Sequence, residues 1–133
     1  MKDIRIQKVV IEQTIAQKNE ISLIFSYNAI HYIISGSGYF NGKFLRAGEG
    51  FVCHKGKLCT YSPNPHDPWK YIWIGFTTNQ KLPDILSQPV INCPGANKIF
   101  DEMMLCKQME NGRSAFLSGC LWKMMAIFLD QGK

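Results

Sequence analysis

Apolar and polar positions follow two different rhythms along this chain. Up to about residue 95 the apolar residues come in short, β-branched and aromatic runs broken by turn residues, the rhythm of strands; beyond it they recur every three or four positions, the rhythm of helices. "ISLIFS" (21–26), "AIHYIIS" (29–35), "GFVCH" and "LCTYS" predict strands, and "GYFNGKFL" centres on Asn41-Gly42, a strong signal for a two-residue hairpin. "SPNPHDP" (62–68) must be a loop, because each of its three prolines removes a ladder donor. In "DPWKYIWIGF" (67–76) a period of two sends Trp69, Tyr71 and Trp73 to one face and Ile72, Ile74 and Phe76 to the other. One strand with an aromatic and an aliphatic face raises the question of what each face meets.

After "CPGAN" the spacing of Ile99, Phe100, Met103, Cys106 and Lys107 predicts a helix that Asn111-Gly112 can close with a left-handed cap. A second helix starts near Ser114. Its polar or small residues, Gly119, Lys123 and Ala126, form one thin stripe leading to Asp130, and the rest is apolar. A surface helix of a small monomer needs one apolar stripe, so the surplus points to a second contact, the strands on one side and another subunit on the other. Leu117, Leu121, Met124, Met125 and Phe128 are the residues expected at a dimer face, the competing reading being that they only cover the strands.

Length and composition narrow the class. A chain of 133 residues makes one domain and buries roughly two thirds of its unfolded surface. The net charge of +5 is spread over 15 basic and 10 acidic residues without a basic run, which is a solvated surface and not a nucleic-acid footprint. Five cysteines, odd in number, widely spaced and without a CxxC pair, predict reduced thiols and a cytoplasmic setting. No apolar run approaches a membrane span and the start lacks the uninterrupted apolar core of a signal peptide, so no membrane association is expected. There is no nucleophile elbow, no phosphate-cradling glycine loop ahead of a helix, and Cys53 and His54 alternate to opposite strand faces, so no catalytic arrangement is expected.

Residues 31–76, "HYIISGSGYFNGKFLRAGEGFVCHKGKLCTYSPNPHDPWKYIWIGF", resemble the effector-binding domain of AraC-family transcription regulators, in their "SGSG" turn, their "AGEGF" entry to a strand and their "DPW" loop leading into "YIWIGF". The resemblance implies a mainly β fold, a cupin-like jelly-roll barrel over 1–95 followed by an antiparallel helix pair over 96–133 that serves dimerisation. It further implies a small-molecule effector, a sugar in many members, and DNA contact only through a domain that is not in this chain. A bound metal is the rule in many cupins, but here the matching ligand positions fall on Ala29, on Ser22 or Leu23, on Ile24 or Phe25, and on Cys59, so neither a metal nor another cofactor is expected. By the same comparison Ala29 and Cys59 point inward, and a period of two turns His31, Ile33, Ser35 and Tyr61 the same way. With Tyr71 and Trp73 these are the expected pocket residues: Trp73 as a platform for a sugar ring, Tyr61, Tyr71 and His31 as hydrogen-bonding groups, Trp69 as a structural residue. None of the three arginines, Arg5, Arg46 and Arg113, falls on that face, so either the ligand is neutral and less polar than a pentose or residues before 30 supply the polar contacts. The alternatives are a stand-alone cupin-like binding protein and a metal-free cupin enzyme.

Overall fold

A computed structural model describes residues 5–13, 20–79, 81–92 and 94–131. Eight strands come first: β1 (Arg5–Gln13), β2 (Ile21–Ile24), β3 (Asn28–Ser35), β4 (Ser37–Phe40), β5 (Lys43–Arg46), β6 (Gly50–Cys53), β7 (Leu58–Pro63) and β8 (Lys70–Thr77). Two helices follow, α1 (Pro94–Met103) and α2 (Arg113–Gln131), with single 3₁₀ turns at Asp84–Ser87 and Met104–Gln108. The strands form two antiparallel four-stranded sheets, in the order β1-β8-β3-β6 and β2-β7-β4-β5, stacked as a jelly roll. The cupin-like fold expected from the sequence is therefore present, as two facing sheets whose ladders, among the described residues, do not run on into one closed cylinder.

Local chemistry explains several corners. Asn41 and Gly42 both adopt positive φ, 48° and 83°, and join β4 to β5 in the two-residue hairpin that the sequence signals. The "SGSG" and "DPW" motifs prove to be two halves of one contact. A Cβ on Gly36 would collide with the Pro68 carbonyl, and one on Gly38 with the Trp69 indole, so the glycines let the proline loop lie flat on β4. Ser37 fixes that loop, its Oγ donating to the Asp67 carbonyl at 3.2 Å and accepting from Asn64 Nδ2 at 3.0 Å.

The first sheet is apolar on both faces. Its inner face meets the second sheet, while its outer face, with Ile30, Val52, Ile72, Ile74 and Phe76, packs on α1 and α2. Leu117, Leu121, Met124, Met125 and Phe128 of α2 all lie in this outer cluster and are at most 3% exposed. They are thus core, and the expectation that they form a dimer face is corrected: a single helix pair must close the whole outer face of the sheet, and that takes the broad apolar side of α2. The stripe predicted as polar or small, Gly119, Lys123, Ala126 and Asp130, is exposed, joined by Ala115, Trp122 and Leu129. The expected left-handed cap at Asn111-Gly112 is also absent. The 3₁₀ turn has ended by Gln108, Gly112 does not take a positive φ, and its carbonyl accepts from the Phe116 amide at 3.0 Å, so it opens α2.

Candidate functional site

β3, β6 and β8 bring His31, Phe51, Tyr71 and Trp73 to the inner face of one sheet, and β4 and β7 bring Phe40, Cys59 and Tyr61 to the other. His31 lies at the centre with no exposure. Its ring is nearly parallel to Phe51 at 4.3 Å and to Trp73 at 5.6 Å, with Tyr61 and Tyr71 tilted against it at 5.4 and 5.5 Å. The stack continues from Phe51 to Phe40 at 4.4 Å and from Trp73 to Tyr27 at 6.2 Å, with interplanar angles of 21° and 14°. Five rings, Tyr27, Trp73, His31, Phe51 and Phe40, thus run as a ladder between the sheets.

Among the described residues neither ring nitrogen of His31 has a hydrogen-bond partner. Burial without a partner disfavours the imidazolium and lowers the pKa to about 3, opposed in part by the Ala29 backbone, which stays short of hydrogen-bonding geometry. The ring is therefore neutral near pH 7, with one N–H to donate and one nitrogen to accept. A buried polar group left unpaired costs about 1 to 3 kcal/mol, so its presence in an otherwise aromatic cluster calls for a functional reason.

Of the expected pocket residues, His31, Ile33, Cys59, Tyr61, Tyr71 and Trp73 converge in this buried cluster. Ser35 does not: the pairing of β3 with β8 shifts register between Ile33 and Ser35, the alternation breaks there, and Ser35 is exposed. The picture of Trp73 as a bare platform is also corrected, because the indole is already engaged by His31, Phe25 and Tyr27. Phe25 and Tyr27, from the connection between β2 and β3, were not foreseen. Tyr27 fills the space over Gly75, where the inner face of β8 has no side chain, and a glycine two positions after Trp73 was the available signal. Phe40 and Phe51 were missed as well, although the period of two that places Cys53 inward places Phe51 there too. Trp69 is fully buried against Gly38, which fits the structural role expected of it.

Among the described residues no three of His, Cys, Asp and Glu converge as a metal ion would require, and no helix is long and apolar enough to cross a membrane. The family follows from the sequence: the AraC-like ligand-binding domain matches residues 24–118, and the chain belongs to that family. The chain is 34% identical over 88 residues to the raffinose operon transcriptional regulatory protein RafR of Pediococcus pentosaceus, covering 62% of this chain and 28% of that protein. It is 28% identical over 117 residues to the Msm operon regulatory protein of Streptococcus mutans, covering 77% and 42%. To the lactose operon transcription activator of Staphylococcus xylosus it is 32% identical over 63 residues, covering 44% and 23%. The chain thus spans less than half the length of these relatives. The Clostridium difficile EutQ protein overlaps 59% of this chain and 66% of its own with a TM-score of 0.43 and 16% identity, too distant a likeness to bear on fold or function.

Proposed function

We propose that this chain is the effector-sensing domain of a transcription regulator and binds a neutral carbohydrate between its sheets, around His31. The observation that carries this reading is the pair of unpartnered ring nitrogens, one donor and one acceptor, fully buried among Phe51, Tyr61, Tyr71 and Trp73. A sugar hydroxyl both donates and accepts, so two hydroxyls satisfy the imidazole while aromatic rings cover the C–H faces. The inner cluster contains no charged side chain among its described residues, which favours an unphosphorylated sugar over a sugar phosphate or acid. The relatives regulate raffinose and lactose operons by name, so those sugars are the first to try. Binding rather than turnover is the role of the domain, in the cytoplasm, and DNA is contacted only through another part of the protein.

Entry requires Phe25 and Tyr27 to leave Trp73. That movement has a route outward, because the strands carrying His31, Phe51 and Trp73 carry Ile30, Val52, Ile72 and Ile74 on their other face, against α1 and α2. The two-faced strand 67–76 is then a coupling element, pocket wall on one side and helix seat on the other. Residues 96–133 present the opposite side of α2 to a second copy: Ala115, Gly119, Trp122, Ala126 and Leu129 are exposed at alternating spacings of four and three, and small residues let helices approach closely. Trp122→Glu should give a folded monomer by light scattering where the parent is a dimer. For the pocket, raffinose and lactose titrated into the protein should change tryptophan fluorescence saturably, and His31→Leu should abolish the change while leaving the fold intact. Equal binding by His31→Leu would remove His31 from the site and the reading with it.

A further inference from the structure

The inner cluster also holds two thiols that carbohydrate binding does not use. Cys53 ends β6 and Cys59 lies at the start of β7, so the turn between them carries the chain from one sheet to the other. That turn is closed by the Lys57 amide donating to the His54 carbonyl at 3.1 Å and is tied to the body by the Gly56 amide on the Phe25 carbonyl and by His54 Nε2 at 2.9 Å from the Leu86 carbonyl. Both cysteine side chains face inward, 0% and 2% exposed, in the same inner cluster, close enough for each to shift the titration of the other. The neighbouring Cys53 thiol lowers the pKa of Cys59 against the opposing effect of burial, and Cys53 is pushed up by Cys59 and by its own burial. Cys59 also lines a cleft of about 350 Å³, bounded by the β4–β5 hairpin, the β6–β7 turn and Ser87–Pro89, with Lys43 and Lys57 on its walls.

We propose that Cys53 and Cys59 form a reversible disulfide, with Cys59 attacked first by a peroxide that enters through this cleft and Cys53 as the resolving thiol. The two thiols share one buried cluster, Cys59 stands in the wall of a cleft that Lys43 and Lys57 also line, and Cys53 lies away from that cleft. In the first step the Cys59 thiolate attacks one oxygen of hydrogen peroxide, the O–O bond breaks, and the departing hydroxide takes up a proton to leave as water. Cys59 is then a sulfenic acid. In the second step the Cys53 sulfur attacks the Cys59 sulfur, the S–O bond breaks as the S–S bond forms, and the Cys53 proton leaves with the hydroxide as a second water. Two thiols and one peroxide become one disulfide and two waters, with two electrons passing from sulfur to oxygen. The bond joins a strand of one sheet to a strand of the other, beside the aromatic ladder. This inference is independent of the carbohydrate reading.

Hydrogen peroxide added to the reduced 133-residue protein, followed by alkylation and peptide mapping, tests it. The expected product is a peptide pair linked through Cys53 and Cys59, lighter by two hydrogens and restored by dithiothreitol. Cys53→Ser should accumulate a dimedone adduct at Cys59, whereas Cys59→Ser should leave Cys53 unreacted. In the unsubstituted protein, where folding is not in question, iodoacetamide should label Cys59 at least about 10-fold faster than Cys120, whose thiol burial pushes up. First oxidation at Cys93, Cys106 or Cys120, or oxidation of Cys59 past the sulfenic acid without a link to Cys53, would overturn the assignment.

Discussion

The two sides of the first sheet are both buried and both apolar, yet they are built to different ends. Outside, aliphatic and methionine side chains from the strands and α2 interlock with no buried polar atom left unpartnered among the described residues, and Tyr32 stacks on Phe100 at 4.9 Å at the margin. Inside, flat rings stack around a histidine that has no hydrogen-bond partner among the described residues. Aliphatic packing is dense and gains from every methylene, whereas flat rings present faces on which another ring can stack. The outer side is a seam that holds the helices, and the inner side is the one where the proposed ligand would enter.

The strongest test of the seam is a charge inside it. Leu121→Asp or Phe128→Asp buries a carboxylate among Ile72, Ile74 and Phe76, with a cost of several kcal/mol, on the order of a small domain's whole stability. The expected outcome is a chain without a cooperative thermal transition. A folded monomer would instead mean that these side chains face a partner.

The inner side is tested by acid. His31 titrates at about 3 when folded and near 6.5 when unfolded. Below pH 6.5 the unfolded chain takes up a proton that the folded one refuses, so stability falls as pH drops and levels off only once the folded pKa is reached. Each pH unit across that window costs about 1.4 kcal/mol, on the order of 5 kcal/mol in all. His31→Leu should flatten the contribution in denaturant titrations between pH 6.5 and 4, without loss of stability at pH 7, because the orphaned imidazole contributes no hydrogen bond there. An unchanged acid slope would mean that the ring is partnered or protonated in the folded protein.

A smaller effect is expected where the two halves of the sequence signature meet. Gly38→Ala pushes a methyl group into the Trp69 indole and the Ser62 carbonyl, and overpacking of that kind costs about 1 to 3 kcal/mol. Differential scanning calorimetry should show a lowered Tm with a cooperative transition retained.

Those residues also show why some of the fold was legible in the sequence and some was not. Gly36, Gly38 and the DPW loop are local backbone requirements, and local requirements leave a readable mark. The inward set on β3, β7 and β8 was legible because a period of two survives wherever the ladder is regular; it failed at Ser35, where the ladder slips by a residue. The role of Leu117, Leu121 and Met124 was illegible for the opposite reason. α2 is apolar on nearly every side, and periodicity does not say which of two apolar sides meets the sheet. Tyr27 and Phe25 belong to no periodic element; Gly75 marks a gap on the inner face, but only the contacts with Trp73 show which rings fill it.

The least effect is expected on the outer side of the second sheet, which no described residue covers. The outer side of the second sheet carries Ile24 and Leu58, 62% exposed each, and the pair Tyr39 and Phe44, whose rings meet edge to face at 5.6 Å. An edge-to-face pair contributes about 0.5 to 1.5 kcal/mol at best, and these rings are 39% and 50% exposed, so they have little area left to lose. Tyr39→Ser combined with Phe44→Ser should therefore shift stability by less than about 1 kcal/mol, on the low side of that range. A loss several times larger would mean that this face is buried in the protein as it exists in solution, and that the contrast between a covered and an uncovered sheet is a property of the isolated chain alone. Measuring the same double variant at two protein concentrations separates the cases, since only a face buried between copies makes its contribution depend on concentration.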